Sequence, residues 1–272
     1  MDNRFLFIGG DRRIIYAARS IAQRRTVHAL GLSDEFTAPA GRYGAVVLPL
    51  PATTDGRLIN APLSQHPLPL TLITEYADEG ATVLSGGTHP ELQRICTENG
   101  LRLCNYFADE ALTLKNAALT AEAAISLLIQ STEYSLTGAR ILISGGGRIA
   151  MLTARLLRMF GSDVTVCARN PEQRMRAHLE YVKAADITEI TALCSGMDIF
   201  INTAPATLFG EEQFRRMKAG ALFMELASRT PEAERRLADK YGVQHIMAGG
   251  LPGKLSPKTA GEAIAQVILA EV

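Results

Sequence analysis

The chain is 272 residues long, with 47% hydrophobic and 21% charged residues, a globular composition sized for two ordinary domains that excludes a disordered tail protein. Its 28 Lys and Arg balance its 28 Asp and Glu, which removes the general electrostatic drive toward nucleic acid or an anionic membrane surface. Cys96, Cys104, Cys167 and Cys194 show no CxxC or other metal-type spacing, so buried free thiols in a reducing compartment are expected, and no metal site.

The first apolar run, residues 5–8, ends at Gly9-Gly10 and reads as a buried strand; it is too short for a signal-peptide core. Asp11 then caps a helix through Ile14, Ile15, Ala18 and Ile21. Further strands are predicted at residues 26–30, 45–48, 82–84 and 101–103, with helical patterns ahead of the last two. Such alternation means a parallel sheet with helices on both faces, and it defines a first domain over residues 1–112. An Ala/Leu-rich stretch at 108–134, free of Pro and Gly, predicts a long helix, of which 113–136 is the bridge to a second domain. That second domain, 137–256, carries predicted strands at 140–144, 164–168, 198–202, 222–226 and 243–247. Residues 257–270 read as an amphipathic helix with Pro257 in its first turn, and the segment 257–272 can fold back on the first domain. No uncharged apolar run approaches the ~20 residues needed to span a bilayer. A soluble, cytoplasmic α/β protein is expected.

The most informative local signal follows the strand at 140–144. Gly145-Gly146-Gly147-Arg148-Ile149-Ala150 fits G-x-G-x-x-[G/A], with an apolar strand leading in and a helix carrying Leu152, Leu156, Leu157 and Phe160 leading out. In a dinucleotide site Gly145 permits the tight turn, Gly147 lets the backbone approach a pyrophosphate, and Ala150 keeps helix and strand close. Amides at the start of the helix, among them those of Arg148 and Ile149, then meet the phosphates. The next strand ends in Arg169-Asn170, where an NAD site carries an Asp or Glu for the ribose 2′-hydroxyl. A guanidinium in place of that carboxylate favours NADP over NAD. Asn202-Thr203-Ala204-Pro205 and Ala227-Ser228 follow two further strands at the same sheet edge, where ligands of open α/β sheets lie, and are expected to face the nicotinamide and its ribose.

Past the last strand the segment from Gly250 to Glu262 reads GLPGKLSPKTAGE, expected as a rigid Gly/Pro-punctuated loop with two lysines ahead of a helix. Together with Gly9-Gly10-Asp11 and its following Arg12-Arg13, the run from Asn116 to Ala124 (NAALTAEAA), the Gly145 turn and Asn202-Thr203-Ala204-Pro205, it resembles the dipicolinate synthase A-subunit family over nearly the whole chain. The chain departs from the family pattern at Leu119 and Ala123, which stand for Pro and Gly, at Ala150, and at Arg229-Thr230-Pro231, which lack the expected glycines. The resemblance implies a flavodoxin-like N-terminal domain and a Rossmann NAD(P)-binding domain joined by a long helix. It also implies NADP-dependent oxidation of dihydrodipicolinate, formed from 4-hydroxytetrahydrodipicolinate in the lysine branch, to dipicolinate. The setting implied is the mother cell of a spore-forming bacterium, as an oligomer with a flavoprotein-like B subunit.

A small dianionic substrate needs cations. The candidates are Arg12 or Arg13 at the first helix start, Lys254, and Lys258 in the first turn of the last helix, with Thr259 and Thr120 as hydroxyl donors. No general base stands out: His28, His66, His89, His178 and His245 are scattered, Glu122 on the bridging helix is a weak candidate, and water can serve. Two other readings remain open at this point. One is a shikimate-dehydrogenase-like or methylenetetrahydrofolate-dehydrogenase-like NADP oxidoreductase, and the other a noncatalytic nucleotide-binding subunit.

Overall fold

The structure, a computed structural model, describes residues 4–227 and 232–272. The chain divides into two compact units, Met1–Asn116 with Pro252–Val272, and Ala117–Leu251. The long helix therefore does not stand as a separate bridge: the division falls inside it, and residues 252–256 go with the first unit.

In the first unit β1 (Arg4–Ile8), α1 (Arg12–Ala22), β2 (Thr26–Leu30), β3 (Tyr43–Val47), α2 (Leu72–Tyr76), β4 (Ala77–Ser85), α3 (Pro90–Glu98) and β5 (Arg102–Asn105) follow in chain order. The strands form one parallel sheet in the order β2-β1-β3-β4-β5, the flavodoxin-like doubly wound arrangement. Along β1, Phe5 and Phe7 enter one core and Leu6 and Ile8 the other. An uninterrupted apolar run is what a strand buried on both faces requires. The Asp11 side chain accepts from the Arg13 amide at 2.9 Å and starts α1, whose buried stripe is Ile14, Ala17, Ala18 and Ile21.

α4 (Glu110–Ser131) runs from the first unit into the second. By length and composition it could cross a membrane, yet half of that apolar window is buried. Ala123, Ala124, Ile125 and Leu128 belong to the second unit's core, so α4 is a core helix.

The second unit continues with β6 (Arg140–Ser144), α5 (Arg148–Met159), β7 (Asp163–Ala168), α6 (Pro171–Leu179), β8 (Lys183–Asp186), α7 (Ile190–Leu193), β9 (Ile199–Asn202), α8 (Glu211–Arg216), β10 (Leu222–Glu225), α9 (Glu232–Tyr241) and β11 (Gln244–Met247). Its sheet is parallel, in the order β11-β10-β9-β6-β7-β8, which is the Rossmann order. β8 is absent from the predicted strands. It is an edge strand pairing only with β7, and its four residues are exposed or half-buried, so no apolar run marks it.

α10 (Leu251–Leu255) and α11 (Pro257–Glu271) return to the first unit. The predicted loop at 251–255 is instead one helical turn despite Pro252 and Gly253, because Leu251, Pro252 and Gly253 are buried there and packing outweighs propensity. α11 lies on α1, and Ile264, Ala265 and Ile268 share the core of Ile14, Ala17 and Ile21.

Candidate functional site

A cleft of about 640 Å³ opens where β6 turns into α5, lined by Gly145, Gly146, Gly147, Ala168, Arg169, Asn170, Gln173, Ile187, Thr203, Ala204, Pro205, Ala206 and Leu208. Its floor is the glycine bend. Gly145 has φ +102°, a conformation that L side chains rarely adopt, and a Cβ there would fall on Thr203 Oγ1. Its amide donates to the Cys167 carbonyl at 2.8 Å. Gly147 is different. At φ −80° any residue could stand there, and a Cβ would meet no protein atom within 4 Å. Nothing in the protein demands glycine at 147; a pyrophosphate lying against the backbone would. Gly147 is also the N-cap of α5 and offers no side chain to the first-turn amides, leaving that end to an anion. These residues fit a dinucleotide.

The predicted cofactor residues divide by what they touch. Gly145, Gly147, Arg169, Asn170, Thr203, Ala204 and Pro205 line the cleft. Arg148 and Ile149 form the first turn of α5 without lining it, and Ala150 is fully buried beneath in the core. The Asn202 side chain is also no part of the wall. It is fully buried, donating to both Glu225 carboxyl oxygens at 3.0 Å and accepting from Ser144 Oγ at 2.6 Å. Ala227 is buried and donates its amide to Glu225 Oε1 at 3.0 Å; Ser228 lies outside the described residues. Gly146, Ala168, Gln173, Ile187, Ala206 and Leu208 complete the lining and are not among the predicted residues. Ile187 follows the unmarked strand β8, and Gln173 lies just past the Asn170 cap of α6, so neither stands out in the sequence as a site residue.

At the end of β7 the side chain of Arg169 is exposed and pairs with nothing among the described residues. Asn170 caps α6 by accepting from the Glu172 amide at 2.8 Å. Arg174 donates to the carbonyls of Ala168 at 2.8 Å and Arg169 at 2.9 Å and is paired with Asp186 at 2.6 Å. The backbone that carries Arg169 is thereby held from one turn into α6.

In the first unit Arg12 is exposed at the start of α1. Arg13 is not a free cation: it is 7% exposed, bound to Asp11 by Nε and Nη2 at 2.8–3.1 Å, and donates to the Leu50 carbonyl at 2.6 Å. A Cβ on Gly253 would meet Asp11 Oδ2 at 2.6 Å and Arg13 Nε at 3.1 Å, so α10 rests on this ion pair. Next to it Lys254, Lys258 and Thr259 are exposed. The structure thus gathers Arg12, Lys254 and the start of α11 on adjoining elements and assigns Arg13 to holding them.

Thr120 is buried on α4 and Glu122 is exposed there, both in the second unit. His28 is engaged with Tyr43 through Nδ1 at 2.5 Å, and His89 caps α3. Cys96, Cys167 and Cys194 are buried, whereas Cys104 is only half-buried. Burial pushes the Cys167 and Cys194 thiols up to about 12, where they stay protonated and unreactive.

Residues 4–107 match the model of the N-terminal domain of the dipicolinate synthase A subunit, and residues 119–249 match that of the NAD-binding domain of D-isomer-specific 2-hydroxyacid dehydrogenases. The dipicolinate synthase A subunit from Bacillus subtilis is 28% identical, covering 97% of this chain and 95% of that protein. The chain is similar to dipicolinate synthase A subunits over nearly its whole length. Crystal structures of the A subunits from Bacillus subtilis and Bacillus halodurans superpose with TM-scores of 0.83 and 0.87, at 25% and 24% identity, covering 100% of this chain and 98% of each. A transhydrogenase from Sinorhizobium meliloti shares the fold at TM-score 0.67 and 12% identity, over 98% of this chain and 92% of its own. The second unit, matching the NAD-binding domain of 2-hydroxyacid dehydrogenases, binds a nicotinamide dinucleotide, and the chain is an oxidoreductase.

Proposed function

We propose that this protein oxidises dihydrodipicolinate to dipicolinate with NADP, in the cytoplasm and together with a B subunit. The observation that carries the reading is the glycine bend whose open position at Gly147 suits a pyrophosphate, in a chain similar to dipicolinate synthase A subunits. When bound, the oxidised nicotinamide accepts a hydride. The dihydropyridine ring loses one hydride from carbon and one proton, and the products are an aromatic pyridine, a reduced nicotinamide and a proton.

Aromatisation supplies much of the driving force, so the protein's main task is alignment. Gly147 and the first turn of α5 hold the pyrophosphate, and the loop from Thr203 to Pro205 forms the wall beyond it. The two substrate carboxylates fall to Arg12, Lys254 and Lys258, with Thr259 at the α11 start. Arg13 is withdrawn from that role, being committed to Asp11 and Leu50. The departing proton is taken by water or by Glu122, an exposed carboxylate on α4.

The reading is tested by following reduced-nicotinamide absorbance with freshly generated dihydrodipicolinate, with and without the B subunit. Absorbance that rises only with substrate supports it; none in either mixture removes it. Turnover by the B subunit in the absence of this chain would turn the reading to a nucleotide-binding subunit.

Two substitutions resolve the roles. Arg169→Ala should weaken NADP by about ten- to a hundredfold while sparing NAD, since a lost charge-assisted phosphate contact costs about 1.5–3 kcal/mol; equal weakening of both would remove the 2′-phosphate assignment. Lys254→Ala should raise the substrate KM with nucleotide Kd unchanged, and unaltered kinetics would take Lys254 out of the site.

A further inference from the structure

We propose that Glu225 is a positioning residue for the nucleotide cleft, setting the loop after β9 through the orientation of the Asn202 amide; this rests on the cofactor reading above. Ser144, Asn202 and Glu225 stand side by side on one register row of β6, β9 and β10. All three are fully buried, and three polar side chains in a core are sustained only when their hydrogen-bonding groups are matched.

The match is directional. Asn202 Nδ2 donates to both Glu225 oxygens at 3.0 Å and to the Ala204 carbonyl at 3.2 Å. Its Oδ1 accepts from Ser144 Oγ at 2.6 Å and from the Ala204 amide at 3.2 Å. Asn202 therefore grips Ala204 by both its N–H and its C=O. A flipped amide would place oxygen against the carboxyl and an NH₂ against the Ala204 N–H. As a carboxylate Glu225 is acceptor only, so it permits one orientation of Asn202.

The consequence reaches the cleft. Ala204 lines it, and Thr203 donates Oγ1 to the Ser144 carbonyl at 2.8 Å, filling the space that only a glycine at 145 leaves open. On its other side Glu225 Oε1 accepts from the Ala227 amide at 3.0 Å. One carboxyl thus ties the turns after two strands to the glycine bend.

The decisive variant is Glu225→Gln, which keeps the shape but brings a donor, so that Asn202 can turn over. Glu225→Asp restores an acceptor-only group. Leu136→Ala removes core packing ahead of β6, at the far end of the strands from the cleft, and serves as a stability control. Two readouts apply to the intact chain: hydrogen exchange of residues 203–206 without nucleotide, and Kd for NADPH and NADH by nicotinamide fluorescence. Glu225→Gln should speed exchange in that segment and raise both Kd values about tenfold, the effect of leaving buried groups mispaired. Glu225→Asp should recover most of the loss, and Leu136→Ala should lower Tm without moving Kd.

Unchanged exchange in Glu225→Gln would overturn the proposal. So would wild-type Kd values in that variant, or a Leu136→Ala variant that loses affinity equally. A wild-type chain that binds neither nucleotide, with the loop still loosened by Glu225→Gln, would instead refute the cofactor reading and leave the loop-setting role standing.

Discussion

Replacing Gly147 by aspartate should abolish dinucleotide binding, with Kd raised at least about a hundredfold, while Tm stays level or rises slightly. The two effects have opposite signs for separate reasons. At φ −80° and ψ −174° the backbone accepts any residue, and the new Cβ meets no protein atom within 4 Å. Position 147 is moreover the N-cap of α5, where aspartate exceeds glycine by a few tenths of a kcal/mol. The carboxylate would enter the space assigned to the pyrophosphate and take up the same first-turn amides. Loss of a well-placed phosphate contact together with like-charge repulsion exceeds about 2.7 kcal/mol, a hundredfold in Kd. Calorimetric titration beside a thermal melt reads both quantities. A variant that still binds would show that the bend does not hold a phosphate. Gly145, with φ +102° and Thr203 above it, could not give this separation, because a side chain there damages the fold itself.

The second large effect concerns the first unit. Gly261 lies within α11, where alanine would ordinarily stabilise a helix by about 1 kcal/mol. Here its Cβ would strike the Arg13 carbonyl and come within 2.6 Å of Tyr16 Cβ and 2.9 Å of the Ala17 amide nitrogen. Two of these are backbone atoms of α1 and cannot turn aside as a side chain can. The two helices must separate, opening the core shared by Ile14, Ala17 and Ile264. Overpacking of this kind costs about 3 kcal/mol, which outweighs the propensity gain and leaves a net loss of about 2 kcal/mol. Tm should fall by about 4–8 °C for a chain of this size. A Gly261→Ala chain with unchanged or raised Tm would show that α1 and α11 are not in backbone contact. The same packing bears on the substrate cations, since Arg12, Lys258 and Thr259 stand at the starts of these two helices.

Much of the fold is legible without coordinates. Apolar runs such as 5–8 and 140–144, each broken by glycine, are complete statements of a buried parallel strand, because both their faces are covered. The glycine bend and the absence of an acid after Ala168 are equally local. β8 is not legible: an edge strand with half-buried residues carries neither a run nor an alternation. α10 is hidden for the opposite reason, since Pro252 and Gly253 argue against a helix until their burial is known.

Side-chain roles divide along the same line. Position at a helix start or a strand end places Arg13 among the candidate substrate cations and Asn202 among the candidate cofactor residues. Each is instead a structural tie, Arg13 to Asp11 and the distant Leu50 carbonyl, Asn202 to Ser144 and Glu225 across three strands. The sequence by itself determined most of the elements, the glycine bend and the supply of candidate cations, all of which depend on neighbours within a few turns of chain. Only the tertiary structure decided which polar groups line the cleft and which are spent holding loops. That choice depends on hydrogen-bond partners tens of residues away, and a buried polar group takes whichever partner the fold brings to it.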